Sequence, residues 1–525
     1  MNRAKVVRAT SLLAVMSMVS MAGVILLRSS QAATPFVTAE SEKGSIVAPA
    51  SSLADATAAG GAAVKFGSRA STGVLPFDLP PQATLKASSK KVFAHYFVPY
   101  PISFDNKPAD QDYYATGYLN PNGEGGKFAA YGGMLRERPL TRPVSSSPTW
   151  EIDDMRTEVK RATEAGLDGF ALDVLCLTGQ CMDRTKQLLE AAPLQDPNFK
   201  IMLMPDGASL GAGAVASEVA ASMASLTNDP KYNKNLFKLP DGRVVFSAFM
   251  PEVLPAAWWQ NWLNIMKNTY GVNIAFVPCF LNYGANAAAF MPFSYGASTW
   301  GNRSPASNPA TLMGDITDAH NRGKIWMQAV SLQDNRPIHS TFWEANNTEN
   351  LRQTWNTAIS SAEWVQIATW NDYSENAQVS PSTHIGWSPL DISSYYLTWM
   401  KQGSPPQINK DVLYVNHRIQ PHAALPTGPQ TQLMKVNSGQ PPRDTVEVLS
   451  FLTAAATITT KVGGNTYTYE APAGVYTKTF PLATGTVSAV SSRSGSTTAS
   501  AVSPFPVVAR PVVQDLTYHF TSSAR

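Results

Sequence analysis

Hydrophobic runs alternate with amphipathic stretches from Lys91 onward, and this alternation predicts repeated strand–helix units. Eight short runs rich in β-branched and aromatic residues are predicted strands: Val92–Phe97, Gly169–Val174, Phe199–Pro205, Arg243–Phe249, Asn273–Phe280, Phe290–Ser294, Lys324–Val330 and Trp364–Trp370. Helical patterns lie between most of them, namely Asp153–Ala165, Met182–Ala192, Ala214–Leu226, Pro255–Tyr270, Pro309–Asn321 and Asn347–Ser360. The sixth unit is the weakest, because Ala285–Phe290 offers hardly any helix before its strand.

This succession of units predicts a parallel α/β fold, and the number eight favours a closed (β/α)8 barrel, which we place at residues 88–405. A doubly wound open sheet is the alternative topology. It is disfavoured because no Gly-rich phosphate-binding loop follows the first predicted strand. In a barrel, the chemistry is expected at the carboxyl ends of the strands.

The composition changes after Ser404-Pro405-Pro406, where helical patterns become rare and short alternating runs begin. The runs are Thr445–Phe451, Ala456–Lys461, Thr466–Tyr469, Val475–Phe480, Thr486–Ser491 and Leu516–Phe520. Gly463-Gly464-Asn465 predicts a hairpin turn between two of them. We therefore predict a β-sandwich at residues 411–525 that either supports the barrel or binds carbohydrate. Tyr467, Tyr469 and Tyr476 are the aromatic candidates for binding carbohydrate, but they are also consistent with core positions or cross-strand pairs.

The N-terminal region, residues 1–33, has the pattern of an export signal. It contains basic Arg3, Lys5 and Arg8, an apolar run Leu12–Leu27, and a small-x-small cleavage site Ser30-Gln31-Ala32. Cleavage is favoured, and an uncleaved membrane anchor is the alternative. Residues 34–87 are rich in Ala, Ser, Gly and Thr without periodicity, which predicts a low-complexity linker. We expect a secreted protein with no stable membrane association after signal cleavage.

The composition narrows the possible partners. Charged residues make up only 15% of the 525 residues, and the net charge is +3. Basic residues cluster only at the N-terminus, which argues against nucleic acid as a partner. Cys176 and Cys181 are spaced for a local disulfide or are two free buried thiols, and Cys279 is left over. Three cysteines and seven scattered histidines show no zinc spacing, so no metal site and no cofactor is predicted.

The eighth predicted strand leads into the segment with the strongest chemical signal. Asp372 and Glu375 follow the apolar run, three residues apart. They are surrounded by Trp370, Asn371 and Tyr373. Acids among aromatic rings and amides suit sugar chemistry, because rings stack on pyranose faces and amides bind hydroxyl groups. The alternative is a solvated loop that only caps the next helix.

Polar and aromatic residues also stand at the ends of most other predicted strands. The candidate substrate-binding residues are His95, Tyr96, Asp173, Asp206, Trp300, Trp326, Gln328, Trp370, Asn371 and Tyr373. A single buried Asp is usually structural, whereas several acids converging at one mouth are hard to explain by packing. This distribution favours an enzyme that acts on a polyhydroxylated substrate.

At these residues the chain resembles the α-1,3-glucanases (mutanases) of glycoside hydrolase family 71. Trp370-Asn371-Asp372-Tyr373-Ser374-Glu375 is similar to the family's Trp-Asn-Asp-Tyr-Gly-Glu signature. Weaker resemblances lie at Val92–Tyr96, Gly166–Asp173, Ala471–Val475 and Val513–Tyr518, in the family's order along the chain. The likeness therefore extends from about residue 90 to the C-terminus.

The resemblance implies hydrolysis of internal α-1,3-glucosidic bonds with inversion, by a carboxylate pair that maps onto Asp372 and Glu375. Two departures affect the site. Ser374 replaces the motif's Gly, so the turn needs a backbone that accepts a side chain. Asn376-Ala377-Gln378 replaces the usual Ser-His-aromatic continuation, so the chemistry carries over better than the substrate does. The endo-α-mannosidase type of barrel has a similar strand-eight motif and is a neighbouring possibility.

We assign Glu375 as the general acid and Asp372 as the general base of an inverting reaction. Asp173 and Asp206 are reserve candidates for the base, or they bind sugar hydroxyls or orient the pair. A barrel retained only as a scaffold for glycan binding is the hypothesis from another class, and retention of both acids argues against it. We also predict that at least two of Tyr96, Trp300, Trp326 and Trp370 line the cleft of the acids and contact glucose rings.

Overall fold

The computed structural model describes residues 50–54, 62–66, 73–305, 309–437 and 440–525. The export signal predicted at residues 1–33 lies outside these ranges. The chain forms two compact units, Met1–Ala70 and Ser71–Arg525. In the first unit, Ala50–Ala54 and Ala62–Phe66 pair as antiparallel strands. All elements described below belong to the second unit.

Eight parallel strands form a closed barrel in the order in which they follow along the chain, as predicted. The strands are β1 (Lys91–Tyr96), β2 (Gly169–Val174), β3 (Lys200–Pro205), β4 (Val244–Phe249), β5 (Ile274–Phe280), β6 (Gly296–Thr299), β7 (Ile325–Val330) and β8 (Trp364–Ile367). Pairing of β8 with both β7 and β1 closes the sheet, with Trp364 opposite Met327 on one side and Lys91 on the other. The parallel arrangement places all eight carboxyl ends at one mouth.

Within the described ranges, the α-helices of eight or more residues are α1 (Trp150–Glu164), α2 (Gln180–Gln195), α3 (Ala216–Thr227), α4 (Ala256–Asn268), α5 (Tyr283–Phe290), α6 (Pro309–Asn321), α7 (Glu349–Ser361) and α8 (Ser388–Gln402). Helix α1 buries Met155, Val159 and Ala162, which share one face at helical spacing. Its first turn carries acids and its last turn carries Arg161, the order that the helix dipole favours. Gly403, in the left-handed conformation, ends α8.

The sixth strand differs from the prediction. Phe290 ends helix α5, a 3₁₀ turn follows at Met291–Phe293, and the strand is Gly296–Thr299. The apolar run is thus a helix end interrupted by Pro292, whereas the true strand consists of small residues without a β pattern. Small size is required there, because a Cβ at Gly296 would lie 2.4 Å from the Cγ1 atom of Ile325.

Alternation along the strands separates two cores. Inward-facing Phe93, Met202, Val277 and Met327 fill the barrel interior. Outward-facing residues such as Phe170 pack between the strands and the helices. The period of two means that neighbours on a strand point to opposite faces. A polar side chain can therefore reach the mouth only from an inward position near a strand end or from a loop.

Residues before the predicted barrel boundary also pack against this unit. Gln82–Ala87, assigned above to the linker, form a short helix in which Leu85 is buried. Phe77 is likewise buried, and its ring meets the edge of Tyr395 in α8 with centroids 5.7 Å apart. The packed unit thus includes residues upstream of position 88.

A β-sandwich follows the barrel, as predicted. Its strands are β9 (Val412–His417), β10 (Thr445–Leu452), β11 (Ala456–Val462), β12 (Asn465–Ala471), β13 (Gly474–Pro481), β14 (Val487–Arg493), β15 (Ser496–Val502) and β16 (His519–Ser522). They form two four-stranded antiparallel sheets, β13-β10-β9-β16 and β12-β11-β14-β15. The hairpin predicted at Gly463-Gly464 is confirmed, since Val462 pairs with Asn465 across it.

Buried polar contacts join the sandwich to the barrel. Arg418 and Glu344 form an ion pair of 2.9 Å, and both side chains are almost fully buried. The Tyr518 hydroxyl donates to Glu344 Oε1 at 2.7 Å, and the Tyr518 amide donates to Gln333 Oε1 at 2.8 Å. Unpaired buried charges are costly, so the two parts stabilise each other.

Cys176 and Cys181 form the local disulfide that their spacing allowed, with Cα atoms 6.0 Å apart. Cys279 is a free, buried thiol. Within the described ranges, no helix combines the length and the apolar character that crossing a membrane requires.

Candidate active site

The loop after β8 holds Asp372 in a network of short local hydrogen bonds. The Asp372 amide donates to Thr369 Oγ1 at 2.9 Å. Asp372 Oδ1 accepts from the Ser374 amide at 2.9 Å, the Ser374 hydroxyl at 2.6 Å and the Glu375 amide at 3.2 Å. All three of these bonds go to Oδ1 rather than Oδ2. They fix the carboxylate plane at the end of the strand.

The turn accommodates Ser374 without strain, which answers the question raised by the missing glycine. The left-handed residue next to the acids is Asn376, with φ of 48°, a conformation that Asn tolerates. Its side-chain amide donates to the Asn335 carbonyl at 2.8 Å. The Ser374 side chain also contributes to the site, because its hydroxyl donates a hydrogen bond to the Asp372 carboxylate.

Burial raises the pKa of the Asp372 carboxyl above its usual range, and the hydrogen bonds from Ser374 and the Glu375 amide oppose the rise. Burial also raises the pKa of Glu375 well above its usual range, assisted by the negative charges of Asp334 and Asp372. Burial thus raises both pKa values; hydrogen bonds to Oδ1 oppose the rise at Asp372, whereas nearby negative charges add to the rise at Glu375.

Glu375 contacts a buried network of charges carried by the hairpin after β7. Arg336 approaches Glu375 Oε1 at 3.0 Å. The same guanidinium binds both carboxylate oxygens of Asp334, at 2.7 Å each. Arg303 approaches Asp334 from another side at 3.2 Å. Glu375 Oε2 is buried without a hydrogen-bond partner among the described residues, so this oxygen is available to carry the proton.

A second polar group lies at the inner end of the same mouth. His95 Nε2 is 3.3 Å from Asp173 Oδ2, and both side chains are buried. Burial raises the pKa of Asp173 to about 6, opposed by His95 and assisted by the charges of Asp206 and Asp372. The edge of the Trp300 ring meets the His95 ring with centroids 4.7 Å apart. Asp206 caps the helical turn Gly207–Leu210 through a 2.9 Å bond from the Ser209 amide.

A groove of about 530 Å³ adjoins this network through Arg336, which contacts Glu375, although neither acid lines the groove itself. Its walls include Trp300, Arg303, Asp315, Arg336 and Trp343. Arg303 lies over the Trp300 ring at 5.0 Å, and Arg336 lies over the Trp343 ring at 5.0 Å. Two indoles and two guanidinium groups at one opening offer both stacking surfaces and hydrogen-bond donors, which are typical of a sugar-binding cleft.

Four of the predicted binding residues do not reach this cleft, and the prediction that at least two of the four aromatic rings line it is wrong. Tyr96, Trp326, Gln328 and Trp370 are buried behind the strands, on the side of the helices. The Tyr96 hydroxyl and the Trp370 indole both donate to Glu158 of α1. The Trp326 indole donates to Gln328 Oε1 at 2.9 Å. Strand alternation explains this, since inward His95 forces Tyr96 outward.

Asn371 and Tyr373 are structural as well. Asn371 Oδ1 accepts from the Phe97 amide at 2.8 Å, and its Nδ2 donates to the Phe97 and Tyr100 carbonyls at 3.0 and 3.1 Å. Tyr373 is buried in an aromatic cluster with Tyr100 and Tyr114. Both residues thus fasten the loop after β1 to the loop after β8. They position the acids from behind and are not free to bind sugar hydroxyls.

The fold brings together Asp372, Glu375, His95, Asp173, Asp206 and Trp300 from the predicted set. It adds Arg303, Asp334, Arg336 and Trp343, which the sequence interpretation missed. Arg336 and Trp343 lie on the antiparallel pair Asp334–Arg336 and Thr341–Trp343, too short for a periodic pattern. The one available signal was the Asp334-Asn335-Arg336 cluster shortly after β7, beyond the carboxyl end of that strand, where barrel sites form.

Comparison with known proteins gives the family. The family model described as "Glycosyl hydrolase family 71" matches residues 144–516, which is more than half of the chain. A protein of Schizosaccharomyces pombe named ascus wall endo-1,3-alpha-glucanase is 24% identical over 352 residues, 59% of this chain and 77% of that protein.

A solved structure, the GH99 endo-alpha-mannosidase from Bacteroides thetaiotaomicron, is 15% identical with a TM-score of 0.44. The matched region covers 59% of this chain and 96% of the mannosidase chain. The resemblance found in the strand-eight motif is thus confirmed over most of the barrel and the sandwich by the family match. The chain belongs to glycosyl hydrolase family 71 and is a glycoside hydrolase.

Proposed function

We propose that this glycoside hydrolase cleaves α-1,3-glucosidic bonds of α-glucan, outside the cell, with inversion at the anomeric carbon. The observation that carries the proposal is the pair of acids at the end of β8 in two different environments. Three donors on Asp372 Oδ1 favour a carboxylate, whereas burial beside Asp334 favours a protonated Glu375. The name of the Schizosaccharomyces pombe relative supports the choice of linkage.

In this mechanism Glu375 is the general acid. Its protonated carboxyl donates to the glycosidic oxygen as the bond to the anomeric carbon breaks. Arg336 holds Oε1, so the proton resides on Oε2, which has no hydrogen-bond partner among the described residues. Asp334 is fully buried and acts on Glu375 through its charge and through Arg336.

Asp372 is the general base. With Oδ1 occupied by three donors, Oδ2 takes the proton from the attacking water on the opposite face of the sugar ring. His95 and Asp173 lie deeper in the mouth, where they orient the sugar or its hydroxyl groups. Asp173, whose pKa is raised to about 6, and Asp206 remain the reserve candidates for the base.

The test is hydrolysis of a panel containing α-1,3-glucan, other α-glucans, β-1,3-glucan and α-mannan, with reducing-sugar release as the readout. Release from α-1,3-glucan with initial β-anomeric product in the NMR spectrum supports the proposal. Release from α-mannan alone would assign the mannosidase-like alternative, and an initial α-anomer would reject inversion. No release from any glycan would favour the non-catalytic binding hypothesis.

Two nearly isosteric variants test the residues. Asp372→Asn and Glu375→Gln should each lower turnover by about 10²- to 10⁴-fold while the fold is retained. Glu164→Gln, at an exposed helix position, is the matched control and should be neutral. Near-normal turnover in either site variant would remove that residue from the mechanism.

Secretion is supported by the export pattern at residues 1–33 and by the relative's description as an ascus wall enzyme. We expect a mature N-terminus near Ala33 on protein recovered from the medium. An intact N-terminus in the membrane fraction would support the anchor instead.

A further inference from the structure

A histidine–carboxylate cluster lies where the loop after β8 meets the sandwich. His384 follows Glu375 in this loop, and Asp515 and His519 belong to the last segment of the sandwich. One ligand atom from each of these residues lies within 4.8 Å of the others. Asp515 Oδ2 is 3.1 Å from His519 Nε2 and 3.7 Å from His384 Nδ1. Two imidazoles and one carboxylate around a point are a common set of metal ligands.

Two buried nitrogens in the cluster lack hydrogen bonds. Among the described residues, His384 Nδ1 and His519 Nδ1 have no hydrogen-bond partner. His519 is almost fully buried, where an unsatisfied nitrogen is unusual. The 3.7 Å separation of His384 Nδ1 from Asp515 is too long for a hydrogen bond but spans two ligands of one ion. The His384 side chain is 20% exposed, which gives a route from solvent.

Hydrogen bonds from neighbouring residues orient the side chains of the cluster. Asp515 Oδ1 accepts from the Thr517 amide at 3.0 Å and the Thr517 hydroxyl at 2.6 Å, which directs Oδ2 towards the rings. Such outer contacts are typical of residues that orient metal ligands. Arg136 is the neighbouring positive charge, and its Nε atom is engaged by the Gln514 carbonyl at 2.7 Å. Glu137 offsets it, accepting from the His384 amide at 3.2 Å.

We propose that His384, Asp515 and His519 form a divalent-metal site of the Zn²⁺ type, with water completing the coordination. The two rings stack with centroids 4.1 Å apart, which places both imidazoles beside the Asp515 carboxylate. The ion ties the loop that carries Asp372 and Glu375 to the sandwich. Its role is structural, and it lies outside the groove lined by Trp300 and Arg336. The proposal is independent of the glycan that the enzyme cleaves.

The experiment uses the mature protein without a polyhistidine tag, treated with EDTA and dialysed. Zn²⁺ and Co²⁺ alone are titrated by calorimetry, and the Co²⁺ complex is examined by visible absorption. We expect one equivalent of Zn²⁺ to bind, Co²⁺ bands typical of nitrogen and oxygen ligands, and a higher melting temperature with Zn²⁺. His384→Ala should weaken binding at least about tenfold and abolish the thermal shift.

His422→Ala is the matched control, because His422 pairs with Asp444 at 2.8 Å on a more exposed surface. This variant should bind Zn²⁺ like the wild type. Absence of stoichiometric binding by the wild type, or unchanged binding in His384→Ala, would overturn the proposal. If His384→Ala fails to fold, the wild-type Co²⁺ spectrum decides: bands without imidazole character contradict the site. No glycan enters these measurements, so they are separate from the tests of hydrolysis.

Discussion

Truncation of Asn371 distinguishes a structural clamp from a sugar-binding amide. In the structure this side chain is fully buried and makes three hydrogen bonds to the loop after β1, two with Phe97 and one with Tyr100. Asn371→Ala removes all three. The loop it releases carries Tyr100, whose pKa is raised by burial and by the charge of neighbouring Asp372.

The magnitude follows from the number of bonds. Each buried hydrogen bond contributes about 0.5–1.5 kcal/mol net, and the backbone groups left unpaired add to the cost. Three bonds therefore predict a loss of about 2–4 kcal/mol in the free energy of unfolding. Turnover should fall as well, because the loop beside Asp372 loosens. Affinity for oligosaccharide should change less than turnover.

Urea unfolding monitored by tryptophan fluorescence measures the first quantity, and steady-state kinetics on α-1,3-glucan oligosaccharides the second. Asn120→Ala is the control: its exposed side chain makes one local bond, to the Asn122 amide at 2.9 Å, and the substitution should be nearly neutral. If Asn371→Ala raised KM with its free energy of unfolding within about 0.5 kcal/mol of the wild type, the clamp interpretation would be refuted.

Two further substitutions probe the cleft. Arg336→Gln removes the cation that opposes the raised pKa of Glu375, so the pKa of Glu375 should rise further. The alkaline limb of the kcat profile should therefore move to higher pH, with turnover reduced. A shift of this limb to lower pH would contradict the assigned contact between Arg336 and Glu375. The exposed Arg322→Gln is its control. Trp300→Ala should weaken oligosaccharide binding with little effect on melting temperature, whereas Trp326→Ala should cost about 3–5 kcal/mol of stability; the reverse pattern would show that Trp300 is a core residue.

The pattern of hydrophobic positions predicted most of the fold because buried parallel strands carry strong apolar signals. The pattern failed to predict elements that are determined by steric fit or by burial on all sides. β6 consists of small residues selected by the close approach of Ile325, and no β pattern marks it. Helix α8 was missed because its residues are buried almost all round, which removes the polar face that identifies a surface helix.

For the candidate site, the sequence singled out Asp372, Glu375, His95 and Asp173 because they stand at or just beyond predicted strand ends, and the structure brings these four residues to one mouth. The sequence interpretation misplaced Tyr96, Trp326 and Gln328 because proximity to a strand end was given more weight than the face on which each residue lies. Alternation from His95 alone predicts an outward Tyr96. Arg303 could not be predicted, since its position depends on a loop without periodic spacing and on its contact with buried Asp334; for Arg336 the only signal was its place in the Asp334-Asn335-Arg336 cluster after β7.

The ion pair of Arg418 with Glu344 restricts how this protein can be altered by recombination. A barrel copied without its sandwich would keep Glu344 but lose the guanidinium and the Tyr518 hydroxyl that satisfy it. A foreign C-terminal module would have to supply both groups at the same place. Grafting this barrel onto another binding module therefore requires retaining the whole sandwich as part of the catalytic body. New modules should therefore be added without separating these two parts, and homologous shuffling should exchange the two parts together.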